Sequence, residues 1–455
     1  MANETYTLIQ KTTLNASAAS ITFSSIPQTF TDLVIKVSAR TDEAAANWSQ
    51  SNITFNSSST SYINRYLLGT GSAASSGSAG TAYVYGGRGT GAGATASTFG
   101  NSEVYIPNYT SANYKSVSTD EVTENNATAG LAFMNAGLWS NTAAITSLTI
   151  TAQGCNFVQY TEATLYGVAK QGVTPVAGPK ASGGDIITND GTYWIHQFLN
   201  SGTFTPSQTL SCDYLVVAGG GGSGSDSGGG GGAGGLRSTV TATGGGGSLE
   251  SAMSLSFGTN YTVQIGAGGN GASFYNTVGT VGGNSIFNTI TSTGGGFGSS
   301  NDLGYLGVAG NGAPGGSGGG AGGGGTGSGN HTPGSATPSG QGFAGGVNYS
   351  TGGGQRAGGG GGGAGAVGTN GQVSNVGGNG GAGVATLITG SSVTLGGGGG
   401  ANGANGAVPS GGLGGAGGGG AANNAGTVNT GGGGGASFTA GTNGGSGIVI
   451  IRYAI

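Results

Sequence analysis

From Gly219 onward the chain is written largely in runs of glycine, and few folds accept such a polymer. Of 111 glycines, 16 precede residue 182 and 95 follow it. A glycine run brings no side chains to a hydrophobic core, and it loses more conformational entropy on ordering than any other sequence. Three outcomes are open to it. Collagen needs a strict Gly-X-Y register rich in proline, and the chain has no such register and only 9 prolines. A flexible linker is the second outcome. It has no use for the apolar residues set between the runs, among them Leu236, Phe297, Phe343, Val376, Leu413 and Phe438. The third is a packed array of extended polyglycine II helices. Such helices have no internal hydrogen bonds, so neighbouring helices must satisfy every amide and carbonyl. In that array alanine, serine and asparagine are expected at the periphery.

Two apolar strands bracket the glycine-rich block. Cys212 to Val217 runs straight into glycine, and Gly447 to Tyr453 emerges from it. Both are too apolar for one-sided surface strands, so they are expected to lie together in one sheet and close the block into a domain. Upstream, residues 191–198 and 202–205 read as two strands joined by a turn at Asn200-Ser201-Gly202. Residues 261–265, 285–287 and 384–394 are further strand candidates. Residues 1–170 show alternating β-branched and aromatic segments separated by Gly, Ser and Asn, the pattern of an antiparallel β-sandwich. Glu43 to Asn47 is the kind of short piece that could be helical. The predicted organisation is all-β: a sandwich over 1–170, a linker over 171–184, and a β-bracketed glycine-rich recognition domain over 185–455.

Charge excludes several functions. Past Lys180 the only basic residues are Arg237, Arg356 and Arg452, and the net charge is -4. No basic surface is left for counterion release, so no nucleic acid is expected as partner. No phosphate loop is possible without a lysine after the glycines. No run reaches the ~18 apolar residues of a membrane span, so no membrane insertion is expected. Met1 is followed by polar residues with no signal-peptide core, which predicts assembly in the cytoplasm. Catalytic candidates are sparse. His196 alternates with Trp194 and Phe198 on a strand and reads as structural. Asp120, Glu121 and Glu124 read as a solvated turn. No enzyme and no cofactor or metal is expected. Specificity is expected in loops between the glycine runs, at residues 299–308 with Asp302 and Tyr305, and at 326–351 with His331, Phe343 and Tyr349. Residues 367–376 and 421–430 are weaker candidates.

The order Trp194-Ile195-His196-x-Phe198, Gly202-Thr203-Phe204-Thr205, Asp213 to Ala218 and the terminal Gly444 to Tyr453 resembles a glycine-rich domain of virion proteins from phages of marine bacteria, cyanophages included. The resemblance covers about residues 185–455. The glycine array is similar in kind to tail-tip adhesins of T-even-like phages, in which polyglycine helices stack and their loops bind the receptor. The resemblance implies a virion tail fibre or receptor-binding adhesin, with a host cell-surface glycan or protein as partner. Residues 1–170 would then contact other virion proteins, and a homotrimer is expected. The alternatives are a capsid or tail decoration fibre and a self-assembling structural filament.

Overall fold

The computed structural model describes residues 6–44, 46–169, 178–274, 277–301, 310–324, 331–351, 355–404 and 411–455. They divide into two compact units, one of residues up to 179 with 185–191 and Ile455, the other of 180–184 with 192–454. Among the described residues there is no α-helix. The described residues of the helical candidate at 43–47 are irregular instead, with a turn at Ala44 and a bend at Asn47.

The first unit begins with β1 (Tyr6–Thr13), β2 (Ser20–Phe23), β3 (Phe30–Ala39) and β4 (Trp48–Phe55). It continues through β5 (Tyr62–Gly69), β6 (Ala74–Thr81), β7 (Val84–Thr90) and β8 (Gly100–Ile106). The remaining strands are β9 (Lys115–Glu124), β10 (Gly130–Trp139), β11 (Leu148–Ala152) and β12 (Glu162–Ala169). The strands β13 (Ala181–Ser182) and β14 (Ile186–Asn189) come next, and β14 joins this unit by pairing with β1. The larger sheet is antiparallel, in the order β14, β1, β12, β3, β8, β9, β10, β5, β6. The smaller runs β2, β11, β4, β7. Phe23, Ile53, Phe55, Val84 and Ile150 of the small sheet share one core with Leu33, Ile35, Val104, Trp139 and Leu165 of the large one. That is a sandwich. Alternation along β9 is complete, every second residue being buried. It corrects the expected solvated turn: Asp120 and Glu124 point outward from a strand, while Glu121 is buried beside Arg88. Burial pushes the Glu121 carboxyl up to about 7, against the opposing pull of that guanidinium.

The second unit is held at one end by pairing between β15 (Tyr193–Phe198), β16 (Gly202–Pro206), β17 (Leu210–Val217) and later strands. These are β18 (Leu236–Ser238), β19 (Met253–Leu255), β20 (Tyr261–Gln264), β21 (Ser285–Phe287) and β22 (Ile290–Ser292). The hairpins β23 (Tyr349–Ser350) with β24 (Arg356–Ala357) and β25 (Val384–Thr386) with β26 (Val393–Leu395) precede the terminal β27 (Ile448–Ala454). The two bracketing strands are partners, β17 lying antiparallel to β27 from Asp213 opposite Arg452 to Val217 opposite Ile448. The consecutive strands β15 and β16 do not pair with each other: β15 joins β27, and β16 joins β20 and β13. Of the expected linker, residues 171–177 lie outside the described set, and Ala181–Ser182 form β13 instead.

Between these strands lie glycine runs that, apart from a 3-10 turn at Gly244–Gly246, have neither helical nor strand pairing. Their hydrogen bonds follow a period of three. Along 218–224 the N–H groups of Ala218, Gly221 and Gly224 donate to Gly235, Gly232 and Gly229 of one neighbouring run. Those of Gly219 and Gly222 donate to Gly283 and Thr280, and those of Gly220 and Ser223 to Gly445 and Thr442. Three further runs donate back, through Gly295 to Gly219, Gly269 to Gly220 and Gly434 to Gly221. One run thus has six neighbours. A strand repeats every 2 residues and an α-helix every 3.6, so neither gives this pattern. The same cycle recurs along 229–235, where Gly229, Gly232 and Gly235 reach residues 299, 296 and 293.

Such close neighbours leave no room for Cβ. One placed on Gly231 would lie 2.1 Å from the Gly221 carbonyl oxygen, and one on Gly361 1.9 Å from that of Gly231. Small side chains are nonetheless not confined to the periphery, because Ala233, Ala321, Ala401, Ser223 and Ser299 are fully buried. Ser223 finds a partner by donating to the Gly435 carbonyl at 2.8 Å. Replacing Gly231 by alanine should therefore cost more than about 4 kcal/mol or abolish folding of this unit. Gly202→Ala, whose new Cβ would meet only the Phe198 ring at 3.6 Å, should stay within about 1 kcal/mol. Denaturant unfolding followed through buried Trp194 measures both.

Candidate functional site

The direction of each run follows from its partners. The run leaving β17 starts at Ala218, and its Gly224 end meets Gly229 across the first turn. At that same end, Thr280 opposes Gly222, Thr442 opposes Ser223, and Ser299 accepts from Gly229. Outward from there Asn402 accepts from Gly358, and Val347 from Gly371. Because the runs alternate in direction, the described residues near 225–228, 273–274, 277–279, 348–351, 355–357, 372–377 and 437–440 gather at one end. The pairing of β17 with β27 lies at the other. A fold of such rods thus collects many of the segments between its runs at one distal end.

Of the predicted loop residues, His331 and Tyr349 come to that end together. The His331 N–H donates to Asn348 Oδ1 at 2.7 Å, next to Tyr349 in β23. Its Nδ1 lies 2.9 Å from the Gly322 carbonyl, which can only accept, so Nδ1 carries the proton. The ring lies against Gly310, where a Cβ would meet it at 2.1 Å. Phe343 is not part of this group. Its backbone is built into the array, accepting from Gly318 and donating to Gly363, and its ring faces Gly246 near β18. Asp302 and Tyr305 lie outside the described residues.

The distal end also carries side chains that sequence reasoning passed over. Phe274, Val373 and Phe438 are 55%, 60% and 47% exposed there. Leu413, like Phe438 one of the apolar residues set between the runs, is 68% exposed. The only usable signal was their position, single apolar residues in breaks between glycine runs. Charge is scarce. Among the described residues of these connections, Asp226 and Arg356 alone are ionisable at neutral pH apart from His331. Asp226 accepts from the Asn301 side chain at 2.8 Å.

The sequence profile of the glycine-rich domain matches residues 199–454, more than half of the chain. The chain belongs to the glycine-rich domain family. No curated protein and no solved structure matches it. The matched stretch holds the whole array and both bracketing strands, and it starts directly after β15.

The glycine-rich domain is tied to β15 through a buried histidine. His196 is fully buried, with Nδ1 2.6 Å from the Gly183 carbonyl and Nε2 2.9 Å from the Tyr453 hydroxyl. The carbonyl accepts, so Nδ1 is protonated and neutral Nε2 accepts from Tyr453. Both bonds are made by the uncharged ring, which suits a structural role. Burial lowers its pKa to about 4, although the Gly183 bond pulls the other way. The unfolded chain therefore takes up a proton first as pH falls. Stability contributed by neutral His196 is complete above about 6.5 and lost progressively down to about 4, by roughly 3 kcal/mol in all. Melting temperatures between pH 7 and 4 should fall in the native chain, and the slope should flatten in His196→Gln.

Proposed function

We propose that the chain is a structural protein of a bacteriophage particle, a tail fibre or receptor-binding adhesin whose distal loops contact the host surface. The observation that carries this reading is the collection of loop connections at one end of a stiff array anchored at the other. The rods are bonded to one another mainly through backbone groups, so much of the loop sequence can change while the loops keep their place. The exposed Phe274, Val373 and Phe438 supply apolar contact in a surface almost without charge, which fits short-range contact better than electrostatic capture.

In this proposal the glycine runs are polyglycine II helices, each turning threefold and bonded to six neighbours. The period-three donor pattern and the rejection of Cβ support it. The host partner is a cell-surface glycan or protein. The N-terminal unit attaches to other virion proteins and forms a homotrimer, and the work of the chain is binding, not catalysis.

Position on the particle tests the reading. A reconstruction of the phage with labelled chain should place it on the tail with the distal loops outward. Density at capsid vertices would make it a decoration fibre, and long polymers of purified chain in the absence of phage would make it a filament protein. Sedimentation of the purified chain should give a trimer, and a monomer at micromolar concentration would remove that part of the proposal.

A further inference from the structure

The large sheet of the first unit has one face packed on the sandwich core and one face open. The open face forms a cleft of about 1480 Å³ over β12, β3, β8, β9, β10, β5 and β6. Strand register sets its floor in rows. One row runs from Tyr166 past Val34 to Tyr105, Ser118, Ala136 and Arg65. With strands about 4.8 Å apart, seven strands make a floor roughly 29 Å long. Such a length suits a polymer lying across the strands better than a small metabolite.

The chemistry of the floor narrows the polymer. The Tyr105 ring is held in place, because its hydroxyl donates to Asp32 at 2.6 Å, yet it remains 37% exposed. A fixed aromatic platform loses little entropy on binding. Tyr166 lies two strands away in the same row and packs edge-on against Tyr6, with centroids 6.3 Å apart. Charges on the face largely cancel: Lys36 pairs with Glu103 at 3.3 Å and Lys11 with Glu162 at 2.8 Å, and the lining Arg65 is offset by Asp120. No net field is left to select a polyanion or polycation. Between the charges stand hydroxyls and amides, Ser38, Ser118 and Asn101 among them. Further along, Leu67 and Met134 are each 59% exposed. Sugar rings meet these demands with hydroxyls at their rims and C–H groups on their faces.

We propose that this cleft binds an uncharged polysaccharide chain, stacked on Tyr105 and Tyr166 and running across the strands toward Leu67. The site is separate from the distal loops, so it stands or falls independently of the host-contact reading. Electrophoresis of the full chain through gels containing amylopectin, dextran, xylan or galactomannan tests it, with alginate as the anionic comparison.

At least one neutral polysaccharide should retard the protein, and raising the salt should leave that retardation nearly unchanged. The double change Tyr105→Ala with Tyr166→Ala should weaken it at least about tenfold. Tyr105→Phe, which keeps the ring, should bind within a few-fold of the native chain, and it guards against mistaking a folding defect for lost contact. No retardation by any neutral polymer, or retention by alginate alone, overturns the proposal. So does retardation that survives the double change. A self-association that Leu67→Glu abolishes would assign the face to a second copy of the chain instead.

Discussion

Everything in the second unit depends on one kind of contact, an amide hydrogen bond between glycine backbones with no Cβ between them. A single such bond contributes only about 1 kcal/mol net, while ordering each glycine costs about as much or more. The balance is held only where nearly every N–H and C=O finds a partner and the backbones also touch closely. The interior of the array meets that condition: the run at 218–224 donates from every residue and receives from three further runs. A Cβ at Gly220 would sit 2.1 Å from the Gly432 oxygen. Glycine is required here by proximity. Most glycines of these runs keep negative φ; Gly396 at +76° and Gly431 at +69° stand at run starts, and Gly417 and Gly418 at +96° and +95° turn the chain between two rods.

From that contact the rest of the unit follows. Rods that can only bond sideways must be fed and closed at their ends, and the ends take different forms. At one, β17 and β27 supply the apolar burial that glycine cannot: Leu215, Val217, Ile448 and Ile450 pack with Leu236, Val384 and Leu395. Arg452 ion-pairs with Asp213 across the same strands at 3.2 Å. At the other end the chain turns back through connections that hold polar contacts of their own, such as Asn301 with Asp226 at 2.8 Å and His331 with the Gly322 carbonyl at 2.9 Å. The first unit reaches stability by the opposite route, a conventional core of Phe, Trp, Ile and Leu between two sheets. Its own open surface is a sheet face instead of a set of loops.

Much of this was legible in the residues. The abrupt change from apolar strand to glycine at both ends of the block predicted that β17 and β27 would be partners, and they are. Strands β1 to β4 and β12 follow from alternation, whereas β6 does not. Its Ala-Ser-Ser-Gly-Ser-Ala-Gly-Thr sequence has no hydrophobic face, and it is a strand only because β5 offers an edge. Glu121 misled for a related reason, since an acidic triplet usually marks solvent and here alternates across a strand. The distal surface was only half legible. His331 and Tyr349 read as loop residues and lie at the same end, His331 bonding Asn348 beside Tyr349, while Phe343 reads the same way and its backbone lies within the array. Which loops share an end depends on the direction of each rod, and that is recorded only in the pairing between rods.

The central claim is that the glycine runs are a bonded solid and not a tethered coil. Residue-resolved hydrogen–deuterium exchange of the full chain tests it most directly. Amides of Gly221, Gly231, Gly399 and Gly434, each bonded to another run, should exchange as slowly as those of β17 and β27. Exchange of these glycines at the rate of an unstructured peptide, while β17 and β27 stay protected, would contradict the account.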